Sequence, residues 1–135
     1  MIDAKEILKN FNGIAPIFPL ENFVMFPKTA YSFNIFEPRY KELISDLLVG
    51  DKLFCTSLLQ PCTDDEYLES PNFHKIGTLC YIIEHKETKN GNYNIIVSGL
   101  KKVKIKEEVD SDKKYRVVNI DILNENNFID REEKK

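Results

Sequence analysis

Pro16-Ile17-Phe18-Pro19-Leu20-Glu21-Asn22-Phe23-Val24-Met25-Phe26-Pro27-Lys28, continuing to Phe33-Asn34-Ile35-Phe36-Glu37-Pro38-Arg39-Tyr40, decides how the rest of the chain is read. Residues 11–40 hold eight of the chain's fifteen aromatic residues (six phenylalanines and two tyrosines) and four of its six prolines. A segment so apolar and so often interrupted is not one regular element. Each proline lacks a backbone donor and fixes φ, so it belongs at a strand edge, a turn or the first turn of a helix. The reading is strand (14–20), Pro-rich crossover (21–28), strand (29–35), then helix.

Outward from this stretch, Tyr31, Phe33 and Ile35 alternate with Ala30, Ser32 and Asn34, which predicts a strand with one buried face. Pro38 suits the first helical position. Tyr40, Leu43, Ile44, Leu47 and Leu48 then form a single apolar stripe, with Gly50 as the expected left-handed stop. Leu53–Leu59 is a third strand. Residues 61–75 are acidic and aperiodic and read as a long loop. Residues 76–87 form a long strand, apolar on both faces in its middle. Asn90-Gly91 predicts a tight turn with φ > 0 at both residues. Residues 93–98 return antiparallel, Gly99 marks a bulge or corner, and residues 115–123 are a last strand facing inward with Val118, Ile120 and Ile122. The expected fold is mainly β with one firm helix at 38–49: about six strands in a small, partly closed barrel. Residues 1–13 are an N-terminal arm, 14–123 one domain, and 124–135 a polar tail.

The 135 residues are 42% hydrophobic and 30% charged, as in a soluble domain. No apolar run approaches the ~20 residues needed to cross a bilayer. The start lacks a signal-peptide core, so the expected location is the cytoplasm. The net charge of −3 argues against broad nucleic-acid affinity. Cys55, Cys62 and Cys80 form no CxxC pair, and with His74 and His85 they have no chelating spacing, so no metal is expected. No phosphate loop, dinucleotide fingerprint, nucleophile elbow or HExxH is present. The expectation is a binding module without cofactor rather than an enzyme.

The blocks Pro16–Pro27 and Ile35-Phe36-Glu37-Pro38-Arg39-Tyr40 resemble the start of the N-terminal, substrate-binding domain of Lon proteases. The resemblance continues through Gly50-Asp51, Leu53-Phe54, Ile76-Gly77-Thr78 and Asn92–Leu100, covering roughly residues 14–123. It implies a PUA-like pseudobarrel that recognises unfolded or tagged polypeptides. In full-length relatives this domain precedes an ATPase and a Ser-Lys protease domain, and neither is found in these residues, so proteolysis itself is not expected.

An unfolded chain offers apolar side chains and unpaired backbone, so its receptor wants an apolar patch or a strand edge. The candidate peptide-binding residues are Phe23, Met25 and Phe26 in the crossover, with Arg39 and Lys41 at the helix start to steer acidic segments. The competing reading places Val24 and Phe26 in the core and gives Arg39 an internal ion pair. Two further classes stand beside peptide binding. One is an RNA-binding PUA-like module using Lys101, Lys102, Lys104 and Lys106. The other is an adaptor acting through homo- or hetero-oligomer contacts.

Overall fold

The computed structural model describes residues 3–21, 23–69 and 72–123. The expected tail at 124–135 lies outside them. Helix α1 (Ala4–Ile7) is capped by the Asp3 carboxylate, which accepts from the Lys5 amide at 3.1 Å. The strands are β1 (Ile14–Leu20), β2 (Ala30–Ile35), β3 (Leu53–Leu59), β4 (Phe73–Glu87), β5 (Tyr93–Val109) and β6 (Val117–Ile122). Helices α2 (Pro38–Leu48) and α3 (Asp64–Glu69) lie either side of β3 in sequence.

All six strands form one sheet in the order β2-β5-β4-β3-β1-β6, and a β5–β6 pairing closes it into a barrel. Every pairing is antiparallel except β1–β3. Its prolines suggested an edge or a barrel rim for β1, and it is not a free edge. Ile14–Pro16 pair with β6 and Ile17–Leu20 pair with β3, so each half of the strand has a single registered neighbour. That is how a Pro-bearing strand sits inside a closed sheet.

Four register shifts among the described residues bend the long strands. One lies between Leu79↔Lys101 and Cys80↔Gly99, leaving Leu100 as the extra residue, so the bulge expected at Gly99 is present. Bent in this way, β5 pairs with β2 through its first half and with β6 through its second.

Two hydrophobic clusters lie on opposite faces of the sheet. Ala15, Ile17, Leu53, Cys55, Leu79, Val103, Ile105, Val118 and Ile120 fill the barrel, with Phe11, Ile7 and Leu8 of the N-terminal segment packed against them. Phe54, Cys80, Ile82, Ile95 and Val97 face the other way, onto Tyr40, Leu43, Ile44 and Leu47 of α2. Successive strand residues point to opposite faces. This is why β3 and the middle of β4 read as continuous apolar runs. Helix α2 therefore covers a side of the sheet.

Some local expectations are corrected. Gly50 is not left-handed. Asp51 Oδ1 accepts from the Leu53 amide at 3.0 Å, and the residue between them, Lys52, takes φ 61° instead. Residues 64–69 are helical rather than loop, because Thr63 and Glu66 form a capping box: the Glu66 amide donates to Thr63 Oγ1 at 3.2 Å and the Thr63 amide to Glu66 Oε1 at 2.9 Å. Ile122 is 43% exposed and is not buried with Val118 and Ile120. The 90–91 turn has φ 66° at Asn90 and φ 71° at Gly91, as the sequence requires.

Candidate functional site

Residues 23–29 run across the outer face of the sheet between β1 and β2. They lack hydrophobic periodicity, so their course is set by what holds them down. The Met25 carbonyl accepts from the buried Thr78 hydroxyl at 2.8 Å. The Lys28 amide donates to the Gly99 carbonyl at 2.8 Å, and the Gly99 amide donates back to the Thr29 carbonyl at 2.9 Å. The Thr29 hydroxyl closes the turn by donating to the Phe26 carbonyl. Gly99 is required because a Cβ there would run into that same carbonyl.

These anchors sort the crossover's side chains. Met25 is buried to 1% exposure in the cluster under α2, with its sulfur 3.7 Å from Cys80 Sγ. It is not part of an exposed patch. Its carbonyl bond to Thr78 draws the residue down against the sheet. Phe23 is half-buried, edge-on to Tyr31 with ring centroids 4.8 Å apart. The outward-facing residues are Val24 at 46% and Phe26 at 53%, the two that the competing reading assigned to the core.

Two grooves flank the crossover. The first, about 230 Å³, is lined by Phe23, Val24, Leu58, His74, Ile76 and Gly77 among others, and Ile76 gives it a second exposed apolar lip. The second, about 290 Å³, lies between Phe26-Pro27-Lys28 and Leu100-Lys101-Lys102, with Leu123 at its end. Lys102 Nζ sits 5.9 Å from the Phe26 ring centroid, within cation–π range.

Arg39 and Lys41 do not join this surface. Arg39 Nη2 donates to the Tyr67 carbonyl at 2.8 Å, and its guanidinium stacks 4.8 Å from the Tyr40 ring and 4.9 Å from the Tyr67 ring. Glu37 lies 3.8 Å away and accepts from the Tyr67 hydroxyl at 2.6 Å. Arg39 thus clamps α3 to the start of α2, with its side chain 15% exposed, and has no freedom to steer a ligand. Lys41 Nζ donates to the Asn90 carbonyl at 2.8 Å and ties α2 to the β4–β5 turn. The α3 capping box was visible in the sequence, but Tyr67 as partner to both Glu37 and Arg39 was not.

Reactive groups are dispersed. A larger concavity is lined by Ser32, Asn34, Glu84, His85, Lys86 and Asn94 together with Phe33, Ile95 and Ile96, and among the described residues no hydrogen bond joins Ser32, Glu84 and His85 to one another. No three metal-ligating side chains converge among the described residues. Burial pushes the Cys80 thiol up to about 12, and that of Cys55 further, so neither is a thiolate near neutrality. No helix among the described residues is long and apolar enough to cross a membrane.

Residues 14–135 match the family model for the ATP-dependent protease La (LON) substrate-binding domain. A Lon protease of Flavobacterium johnsoniae is 31% identical over 110 residues, which cover 82% of this chain and 13% of that protein. Lon protease 2 of Sorangium cellulosum is 26% identical over 91 residues, 67% of this chain and 11% of that protein. The chain thus matches only about an eighth of the length of these relatives. A Lon N-terminal domain protein from Xanthomonas campestris superposes with a TM-score of 0.63 at 21% identity, covering 82% of this chain and 60% of that one. The N-terminal domain of Mycobacterium avium complex Lon protease does so with 0.62 at 11% identity, covering 83% and 55%.

Proposed function

Because the chain belongs to the Lon substrate-binding domain family, we propose that it is a non-catalytic module that binds unfolded or tagged polypeptides in the cytoplasm through the face of the 21–29 crossover. The observation that carries this reading is the display of Val24 and Phe26, outward on a segment whose backbone is fastened at Met25, Lys28 and Thr29. Exposed apolar side chains on a fixed backbone recognise an unfolded chain without paying a large ordering cost on the receptor's side. Phe23 and Ile76 extend the patch along the first groove. Met25 contributes from beneath by holding the crossover in place. The recognition unit is residues 14–123, against which Ile7, Leu8 and Phe11 of the preceding arm pack.

A test is binding to a reduced, carbamidomethylated globular protein, which stays unfolded without refolding or disulfide exchange. Val24→Ser/Phe26→Ser should weaken binding by about tenfold, the effect of losing one or two apolar contacts. Equal affinities, with unchanged circular dichroism, would remove this face from consideration.

An adaptor reading has its own observation. Among the described residues β2 pairs only with β5. An edge strand of this kind is a template for strand addition. Light scattering across a concentration series distinguishes a self-associating protein from a monomer.

A further inference from the structure

We propose that a bound polypeptide adds to the sheet as a further strand, antiparallel along the outer edge of β2, and that segments alternating apolar with polar residues are preferred. This rests on the polypeptide-binding reading and names both the class of segment taken and the groups that hold it.

The groups follow from the ladder that β2 makes with β5. The Gly99 amide donates to the Thr29 carbonyl at 2.9 Å, and the Gly99 carbonyl accepts from the Lys28 amide at 2.8 Å. From this bonded position the register runs from Ala30↔Ser98 to Ile35↔Tyr93 without a shift. Bonded and non-bonded pairs alternate along an antiparallel ladder. Tyr31, Phe33 and Ile35 therefore bond to β5, and the backbone N–H and C=O groups of Ala30, Ser32 and Asn34 point away from it. The same three residues are the exposed ones of the strand.

Nothing within Ala30–Ile35 discourages pairing. The segment has no charge, no proline and no bulge, which are the usual devices for keeping an edge from recruiting another chain. Charged residues flank it only at Lys28 and Glu37. Main-chain donors and acceptors suit a receptor of many sequences, because every extended segment can answer them.

The two faces of the edge set the preference. Directly opposed residues on neighbouring strands share a face. On one face Tyr31 and Phe33 are half-buried, and the Phe23 ring stands edge-on to both, with centroids 4.8 Å and 6.2 Å apart. Added residues opposite Tyr31 and Phe33 extend this aromatic layer, which is continuous with the crossover. On the other face Ser32, Ile96 and Glu84 are registered in one row and Asn34, Asn94 and Lys86 in the next. Five of these six side chains are polar, and they line the concavity of about 530 Å³. Added residues opposite Ser32 and Asn34 stand over these rows. An alternating segment fits both faces at once, and a segment with its apolar residues in one block does not.

The experiment is fluorescence anisotropy with labelled peptides of one composition, each ending in a lysine pair for solubility. One alternates valine with threonine, and a second holds the same residues in two blocks. Two further copies of the alternating peptide carry N-methyl groups on either the threonine or the valine amides. Reduced, carbamidomethylated protein is run in parallel. The alternating peptide is expected to bind at least about threefold more tightly than the block peptide. With valines beside the rings, the threonine amides face β2. Methylating them should weaken binding by about tenfold or more, and methylating the valine amides by less than about twofold. Ser32→Pro withdraws one outward donor while sparing the bonds to β5, and should weaken the unmethylated peptide by about five- to tenfold. If that variant folds poorly, the methylated peptides decide the matter on the wild-type protein.

Equal effects of the two methylation patterns, or no peptide binding at all, with binding of the unfolded protein intact, overturn this inference alone. Loss confined to the valine amides overturns the antiparallel arrangement in favour of a parallel one. Absence of binding to every peptide and to the unfolded protein overturns the parent reading with it. A dimer in light scattering that Ser32→Pro dissolves, with no peptide bound, gives the edge to a second copy of the chain and overturns its assignment to bound polypeptides.

Discussion

The Thr78 hydroxyl donates to the Met25 carbonyl at 2.8 Å, across 53 residues of sequence. This one bond joins the crossover to the middle of β4. Thr78→Val keeps the side chain's shape but leaves a buried carbonyl without its partner. The expected cost is about 1–3 kcal/mol. Urea denaturation should show a lower midpoint with an unchanged slope, and affinity for unfolded protein should fall as the crossover loosens.

Met25 and Phe26 are adjacent, and their substitutions should behave oppositely. Met25→Ala removes a side chain that is 1% exposed and should cost about 2–5 kcal/mol. Phe26→Ser alters a side chain that is 53% exposed and should stay within about 0.5 kcal/mol of wild type. Binding should respond to Phe26→Ser at full stability. A Phe26→Ser protein as unstable as Met25→Ala would show that Phe26 belongs to the core.

Gly99 and Gly77 are places where one backbone passes close over another. A Cβ at Gly99 would meet the Phe26 carbonyl, and one at Gly77 the Thr56 carbonyl. Both alanine variants should be destabilised by about 1–3 kcal/mol through forced displacement. Only Gly99→Ala is expected to weaken client binding out of proportion to its lost stability, because only there does the crossover have to move. Equal binding losses at equal stability would contradict this.

Arg39→Lys should not be a neutral change. A lysine keeps the charge but loses the planar group that stacks on Tyr40 and Tyr67 and donates to the Tyr67 carbonyl. Helix α3 should then open more readily, read as faster amide exchange and proteolytic cutting within residues 61–69 while β3 and β4 stay protected.

Tyr40 sets an alkaline limit. Burial pushes its phenol from 10.0 up to about 12, with Arg39 opposing and Glu37 reinforcing the rise. Burial also raises Tyr67 and Tyr115, each helped by a carboxylate accepting its proton: Glu37 for Tyr67, and Asp46 for Tyr115 at 2.6 Å. The folded state holds these protons more tightly than the unfolded chain. Their contribution is therefore intact below pH ~10 and is lost as pH climbs through the folded values. Tyr40→Phe should flatten the decline above pH ~10 in a stability–pH profile. An unchanged slope would show that Tyr40 ionises as freely as in an unfolded chain.

How far the sequence could be read depended on the range of the forces involved. The alternation in Ala30–Ile35 and the stripe from Tyr40 to Leu47 are local patterns, and both give their elements at the expected places. Asn90-Gly91 demanded its own backbone geometry and has it. The crossover carries no such pattern. Which of Phe23, Val24, Met25 and Phe26 turns inward is settled by Thr78 and Gly99, more than fifty residues away, and no local rule reaches that far. The sequence leaves Arg39 open between a steering charge and an internal ion pair, and its partner Tyr67 lies in a stretch without hydrophobic periodicity. The Thr63–Glu66 capping box was in plain view there, hidden by the surrounding acidic residues.

The pairing of Ile14–Pro16 with Val117–Asn119 sets a timetable for the polypeptide as it leaves the ribosome. The first strand cannot finish its hydrogen bonding until the sixth has been made, so a nascent chain halted at residue 110 would carry the aromatic-rich beginning of the barrel with its mate missing. Such high separation between partners slows folding and leaves greasy early segments open to chaperones until the sixth strand is available. Arrested chains ending at residue 110 and at residue 123 should differ sharply in protease resistance, and equal resistance would mean that closure begins without β6.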